Sequence, residues 1–188
     1  MSARTLDGQT LAARMQEEIK PEVAAFTEKH GRPPALGILL VGNDPASEVY
    51  VRHKVKAGTE AGFRVDLERL AETASLDDVL TAVRRLNDSP VHDGILVQAP
   101  LPKAMGSGAQ QRVFDTIAAS KDVDGFGAES AGLLSQNRPV LVACTPAGII
   151  EMLAREKIQI AGKHAVVIGS VTLSASRWRC CCCTAMRR

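Results

Sequence analysis

Four stretches of this sequence hold side chains whose types and spacing could do chemistry. In P-A-S-E-V-Y-V-R-H-K, Ser47, Tyr50 and Lys54 recur three and four residues apart. On a helix that spacing puts an aromatic ring, a hydroxyl and an amine along one face. Such a face at a cleft edge could bind a flat ligand and move a proton; a solvated lysine beside a core tyrosine fits the spacing equally. Gln98 closes the apolar run G-I-L-V-Q-A-P-L-P, either as a ligand group or as a partner for the loop backbone. K-D-V-D-G-F sets Asp122 and Asp124 ahead of Gly125. The calcium-loop spacing and its closing glutamate are missing, so no metal is expected there. Asp124 alone could pair with an amidine-like ligand edge, or simply form a turn. In C-T-P-A-G, Thr145 suits a helix cap and Pro146 a first helical position. Cys144 has no His–Asp pair in sequence to activate it, which argues against a catalytic thiol.

These residues depend on the elements that carry them. Leu11, Met15, Ile19, Val23 and Phe26 form one apolar stripe, a helix that Pro21 should kink or divide. Ala35 to Val41 is a nearly unbroken apolar run, as in a strand covered on both faces. Asp44 and Pro45 then read as N-cap and first helical residue of a helix reaching about Glu60. Phe63 to Leu70 alternates like a half-buried strand, and Leu76, Leu80, Val83 and Leu86 mark a helix opening at Ser75. Gly94 to Val97 is a third strand, followed by a helix near Gln110 to Ala119 and loops to Pro139. A short Val140–Val142 segment, a helix from Pro146 to about Glu156 and a strand at Ala165 to Ile168 complete the pattern. Strands alternating with helices predict an α/β fold with a parallel sheet. Ligands of such sheets bind beyond the carboxyl ends of the strands, where Gln98 falls.

Composition limits the function classes. With 188 residues, 45% hydrophobic and 23% charged, the chain can bury one good core. No apolar run approaches the roughly 20 residues of a membrane helix, and Met1 to Thr10 is polar, unlike a secretory signal. A cytoplasmic protein with no membrane partner is therefore expected. Aromatics at 3% are too few for stacking on single-stranded nucleic acid. The net charge of +2 is misleading, because four of the 23 basic residues and none of the 21 acids lie beyond Gly169. Residues 1–169 thus carry a net charge of −2, and no nucleic-acid partner is expected.

Taken together, G-N-D-P-A-S-E-V-Y-V-R-H-K, G-I-L-V-Q-A-P-L-P, K-D-V-D-G-F and C-T-P-A-G-I-I-E resemble the bifunctional methylenetetrahydrofolate dehydrogenase / methenyltetrahydrofolate cyclohydrolase family, in its order and at its spacing, over about residues 3–169. The resemblance implies a parallel-sheet catalytic domain at 1–142 and the beginning of an NADP-binding Rossmann domain at 143–169. It implies oxidation of methylene-tetrahydrofolate with NADP and hydrolysis of the methenyl product to formyl-tetrahydrofolate, usually in a homodimer. It makes Lys54 the general acid/base, assisted by Gln98. Tyr50 would pack on the folate rings and Asp124 hold the pterin edge, with Ser47 also on the substrate side. An amine acts as a base near neutrality only where its surroundings disfavour the charged form. The chain departs from the family pattern at Ala99, Gly127, Ser130 and Ala143, where Leu, His, Asn and Pro are usual.

Beyond Gly169 the pattern fails. The segment S-V-T-L-S-A-S-R-W-R-C-C-C-C-T holds four of the five cysteines. Joining the last base of each codon to the first two of the next permits R-N-I-V-G-K-P-M-A-L-L-L-L-H, fourteen consecutive residues of the family's phosphate-binding loop and helix. A one-base slip near Gly169 is therefore expected, making 170–188 an out-of-frame tail and leaving Gly169 as a remnant of the cofactor loop. Adjacent cysteines lack the gap typical of tetrahedral zinc sites, which disfavours a metal-binding tail. Without a glycine turn and helix after Gly169, the chain as written is expected not to bind NADP. Two outcomes follow from the sequence: a folate enzyme retaining its cyclohydrolase half, or a non-catalytic remnant that binds folate or dimerises.

Overall fold

A computed structural model describes residues 5–164 and 166. Apart from Val166, the expected strand at 165–168 lies outside the described residues, as do Gly169 and residues 170–188. The chain opens with α1 (Gly8–His30), then β1 (Ala35–Val41), α2 (Pro45–Glu60), β2 (Arg64–Leu70), α3 (Leu76–Asp88) and β3 (Gly94–Val97). A 3-10 turn (Lys103–Met105) leads to α4 (Ala109–Thr116), α5 (Ala128–Ser135) and α6 (Cys144–Arg155). The three strands form a parallel sheet in the order β2-β1-β3, the α/β architecture expected.

Alternation along β1 divides the core. Leu39 and Val41 face α3 and α4, joining Val79, Val83, Ile95, Val97 and Phe114. Ile38 and Leu40 point to the opposite face, where they meet Leu96 and Val51 of α2. Both faces of the central strand are thus covered, which is why Ala35–Val41 lacks polar alternation. β2 lies at the edge and is only partly buried, so its alternating charges reach water.

The helix ends follow local chemistry. Asp44 caps α2 by accepting from the Ser47 amide at 2.8 Å, with Pro45 in the first turn. Ser75 and Asp78 form a reciprocal capping box on α3. Four expectations need correction. Pro21 does not divide α1, since it removes a single donor while Asp7 and Gly31 cap the two ends. The segment expected as loop up to Pro139 contains α5, whose eight residues with a central glycine give too little periodicity to read. Residues 140–142 form no strand. α6 begins at Cys144 rather than Pro146, and Ala143 rather than Thr145 occupies its cap position. Pro146 still falls within the first turn, where amides have no intrahelical acceptor to lose. No described helix is long and apolar enough to cross a membrane.

Candidate functional site

Sheet alternation decides where Gln98 goes. Gly94, Leu96 and Gln98 share a parity, so Gln98, one residue past β3, emerges on the face covered by α2. Its amide donates to the Leu39 carbonyl at 2.9 Å, continuing the ladder and fixing the backbone. On α2, Val51 is anchored in the core, and Lys54, one turn later, reaches the same face. Lys54 Nζ donates to Gln98 Oε1 at 3.1 Å, while Gln98 Nε2 donates to the Ala99 carbonyl at 2.7 Å. The glutamine is 9% exposed, so its amide orientation is set by these two bonds and its oxygen faces the amine.

A cavity of about 920 Å³ surrounds this pair. Tyr50 and Lys54 come from α2, Gln98 and Ala99 from the end of β3, and Asp124 and Phe126 from the segment after α4. Leu36, Ala57, Phe63, Leu96 and Val123 give it an apolar floor. From the carboxyl end of β3 at Gln98 the cavity runs along the sheet to the amino ends of β1 and β3, where Pro34 and Asp93 line it. Tyr50 is 63% exposed, leaving its ring free to cover a ligand. Flat apolar walls, one amine, one amide and one carboxylate suit a planar heterocycle that is polar along one edge.

Asp124 owes its placement to a tight turn. The Gly125 amide donates to the Asp122 carbonyl at 3.0 Å, and Gly125 adopts φ +60°, a conformation that favours glycine. Cys144 stands at the rim, its thiol 3.7 Å from the Val123 carbonyl. Loss of water around the sulfur, and then the Asp124 carboxylate, push its thiol above the ordinary value, against a smaller opposing effect of Lys54. The protonated thiol is thereby favoured, in keeping with a non-nucleophilic cysteine.

Lys54, Gln98, Tyr50 and Asp124 therefore converge on one cavity, from three separate stretches of chain. Ser47 does not join them. It is 2% exposed in the first turn of α2, its hydroxyl has no hydrogen-bond partner among the described residues, and it does not line the cavity. The expected cofactor residue Gly169 lies outside the described residues. Among the described residues, no three metal-ligating side chains cluster. Sequence reasoning gave Asp122 no role beyond the rejected calcium loop; it is 1% exposed and accepts three hydrogen bonds. Its local spacing carries no signal of this, because burial of a carboxylate depends on contacts distant in sequence.

Comparison with known proteins matches residues 6–124 to the family described as tetrahydrofolate dehydrogenase/cyclohydrolase, catalytic domain. The bifunctional protein FolD of Halalkalibacterium halodurans is 44% identical over 169 residues, covering 90% of this chain and 59% of that protein. Its counterpart in Variovorax paradoxus is 46% identical, with 90% and 58% covered. Among solved structures, the 5,10-methylenetetrahydrofolate dehydrogenase of the silkworm Bombyx mori superposes with a TM-score of 0.89 at 35% identity, covering 95% of this chain and 61% of that one. The Trypanosoma brucei dehydrogenase-cyclohydrolase, solved with NADP and an inhibitor, gives 0.90 at 28% identity, covering 98% and 63%. The chain spans about three-fifths of the length of these relatives.

Proposed function

The chain belongs to the tetrahydrofolate dehydrogenase/cyclohydrolase family, and from that premise we propose that its cavity binds a reduced folate and that Lys54 and Gln98 carry hydrolysis of the methenyl form to formyl-tetrahydrofolate. The observation that carries this reading is the 3.1 Å bond between Lys54 Nζ and Gln98 Oε1 inside the cavity shared with Tyr50 and Asp124.

In the proposed reaction, a water oxygen forms a bond to the cationic methenyl carbon and loses a proton to the Lys54 amine. The bond from that carbon to one ring nitrogen then breaks as the new hydroxyl gives its remaining proton to solvent and becomes the formyl carbonyl, and the nitrogen takes a proton back from Lys54. Methenyl-tetrahydrofolate and water thus become formyl-tetrahydrofolate and one released proton. Gln98 holds the amine at the reacting carbon, and such positioned proton transfer contributes roughly 10²- to 10⁴-fold. Tyr50 covers the ring system, and Asp124 accepts from the amidine-like pterin edge, a charge-assisted pairing.

The family's dehydrogenase half passes a hydride from methylene-tetrahydrofolate to NADP. The groups that line the cavity are assigned to folate binding and hydrolysis. We place the catalytic domain at 1–142, the start of a dinucleotide domain at 143–169 and the aberrant tail at 170–188. The composition and the resemblance support a cytoplasmic homodimer in one-carbon metabolism. A second reading is a polypeptide that binds folate or dimerises without turnover. Loss of methenyl-tetrahydrofolate absorbance, followed with the purified 188-residue chain and Lys54→Ala, tests the proposal. A rate above buffer that Lys54→Ala abolishes is expected. Equal rates for both proteins and buffer overturn hydrolysis, and retained folate binding would then favour the second reading.

A further inference from the structure

Among the described residues, Asp122 is the one buried carboxylate, 1% exposed, and it does not line the cavity. Burying a carboxylate is costly unless hydrogen bonds compensate. Here Oδ1 accepts from the Phe126 amide at 3.2 Å, and Oδ2 accepts from the Gly127 amide at 2.8 Å and from Ser130 Oγ at 2.7 Å. The backbone at Asp122 is held from the other side by a parallel bridge to Ile95, next to the bond from the Ile95 amide to the Lys121 carbonyl at 2.7 Å. The segment 122–127 is therefore pinned to β3 at its start and tied through the Asp122 side chain at its end. Asp124 lies midway between these two fixed points and lines the cavity.

We propose that Asp122 is a positioning residue for the folate site, its buried carboxylate ordering the 122–127 turn through Phe126, Gly127 and Ser130 so that Asp124 meets the pterin edge. This rests on the folate reading of the cavity. Gly127 and Ser130, two positions where the chain departs from the family pattern, become parts of the same device. A Cβ at Gly127 would lie 3.1 Å from the Phe114 carbonyl oxygen and 3.3 Å from Asp122 Oδ2, so glycine lets the carboxylate approach the amide closely. Ser130 supplies the third donor from the first turn of α5. Asparagine at 122 would present an oxygen to either the Phe126 side or the Gly127–Ser130 side, and an amide donor to the other.

The test titrates the full 188-residue chain with 5-formyl-tetrahydrofolate, a stable reduced folate, in a double-mutant cycle. Asp122→Asn is expected to weaken binding about tenfold, in line with the loss of a charge-assisted hydrogen bond. Asp122→Asn with Asp124→Ala is expected to bind no more weakly than Asp122→Asn alone, because a misplaced Asp124 has nothing further to lose. A merely structural role predicts multiplicative losses in the double variant, and that result overturns the proposal. If Asp122→Asn does not fold, Ser130→Ala, which removes one of the three bonds, replaces it in the same cycle. If the unmutated chain binds no folate, the folate reading fails, and amide hydrogen exchange decides the positioning claim by itself. Exchange at Phe126 and Gly127 at least tenfold faster in either variant upholds it, and unchanged exchange overturns it.

Discussion

Lys54 and Gln98 are separated by 44 positions in sequence and 3.1 Å in space. Neither residue type is diagnostic, since most helix lysines are solvated and most glutamines at strand ends serve the backbone. Gln98 does serve the backbone, through Nε2 to Ala99, and this bond leaves Oε1 free to hold the amine. Gln98→Met keeps the volume and removes the acceptor. It is expected to lower kcat of the proposed hydrolysis by about 10- to 100-fold with little change in KM, because it disturbs the proton-transferring group more than the ring contacts. Steady-state kinetics with methenyl-tetrahydrofolate checks this. Cys144 offers a second reading of the site's electrostatics. Burial and Asp124 favour its protonated form, so Asp124→Asn should lower the thiol's proton affinity and speed its alkylation by iodoacetamide near pH 8. Mass spectrometry of the Cys144 peptide isolates that rate from the other cysteines.

At the scale of elements, the site depends on how closely segment 121–124 lies against β3. Gly94 permits that approach, because a Cβ there would sit 2.6 Å from Val123 Cγ1. Gly94→Ala should cost about 1–3 kcal/mol through overpacking and should weaken the proposed folate binding as well, since Val123 adjoins Asp124. Denaturant unfolding and a folate titration measure the two effects. Lys121 secures the same segment from the other side, donating to the carbonyls of Leu86, Asn87 and Ser89 at the end of α3. The capping box at Ser75 governs the opposite end of that helix. Ser75→Ala should destabilise the protein by about 1 kcal/mol and leave the cavity's chemistry unchanged, a contrast that separates stability from binding. The caps and the apolar runs of β1 and β3 were legible in sequence because they obey local rules. α5 and the true start of α6 were not, as short helices rest on tertiary packing more than on their own periodicity.

Across the whole molecule, distant segments are joined by ion pairs at the periphery. Arg155 of α6 pairs with Glu18 of α1 at 2.6 Å and with Glu151 at 2.6 Å, linking the two ends of the described chain. Arg32 binds Asp93 at 2.7 Å, and Asp93 also accepts from the Ala35 amide, so the entrances to β1 and β3 are tied together. The Arg32 guanidinium, and then the Ala35 amide, hold the Asp93 carboxyl below the ordinary carboxylate range against the opposing effect of burial. A depressed native value means that this contribution is present above the unfolded value and disappears as pH falls through the native one. Asp93→Asn should therefore reduce stability at pH 7 and flatten part of its decline below about pH 4. The loss should be at most about 1 kcal/mol, because both side chains are about a third exposed and screened by water. Thermal unfolding from pH 2 to 7 checks this.

By itself the sequence determined the α/β alternation, the buried central strand, the caps of α2 and α3, and the family through its four motifs. Each of these is encoded within a few neighbouring residues, by hydrophobic period or by side chains that satisfy nearby amides. Only the tertiary structure decided that Lys54, Gln98, Tyr50 and Asp124 share one cavity, that Ser47 is turned away from it, and that Asp122 is buried to tie the turn carrying Asp124. Those outcomes depend on which face of a strand meets which turn of a helix far away in the chain. Sheet order and packing fix that choice, and spacing along the sequence does not.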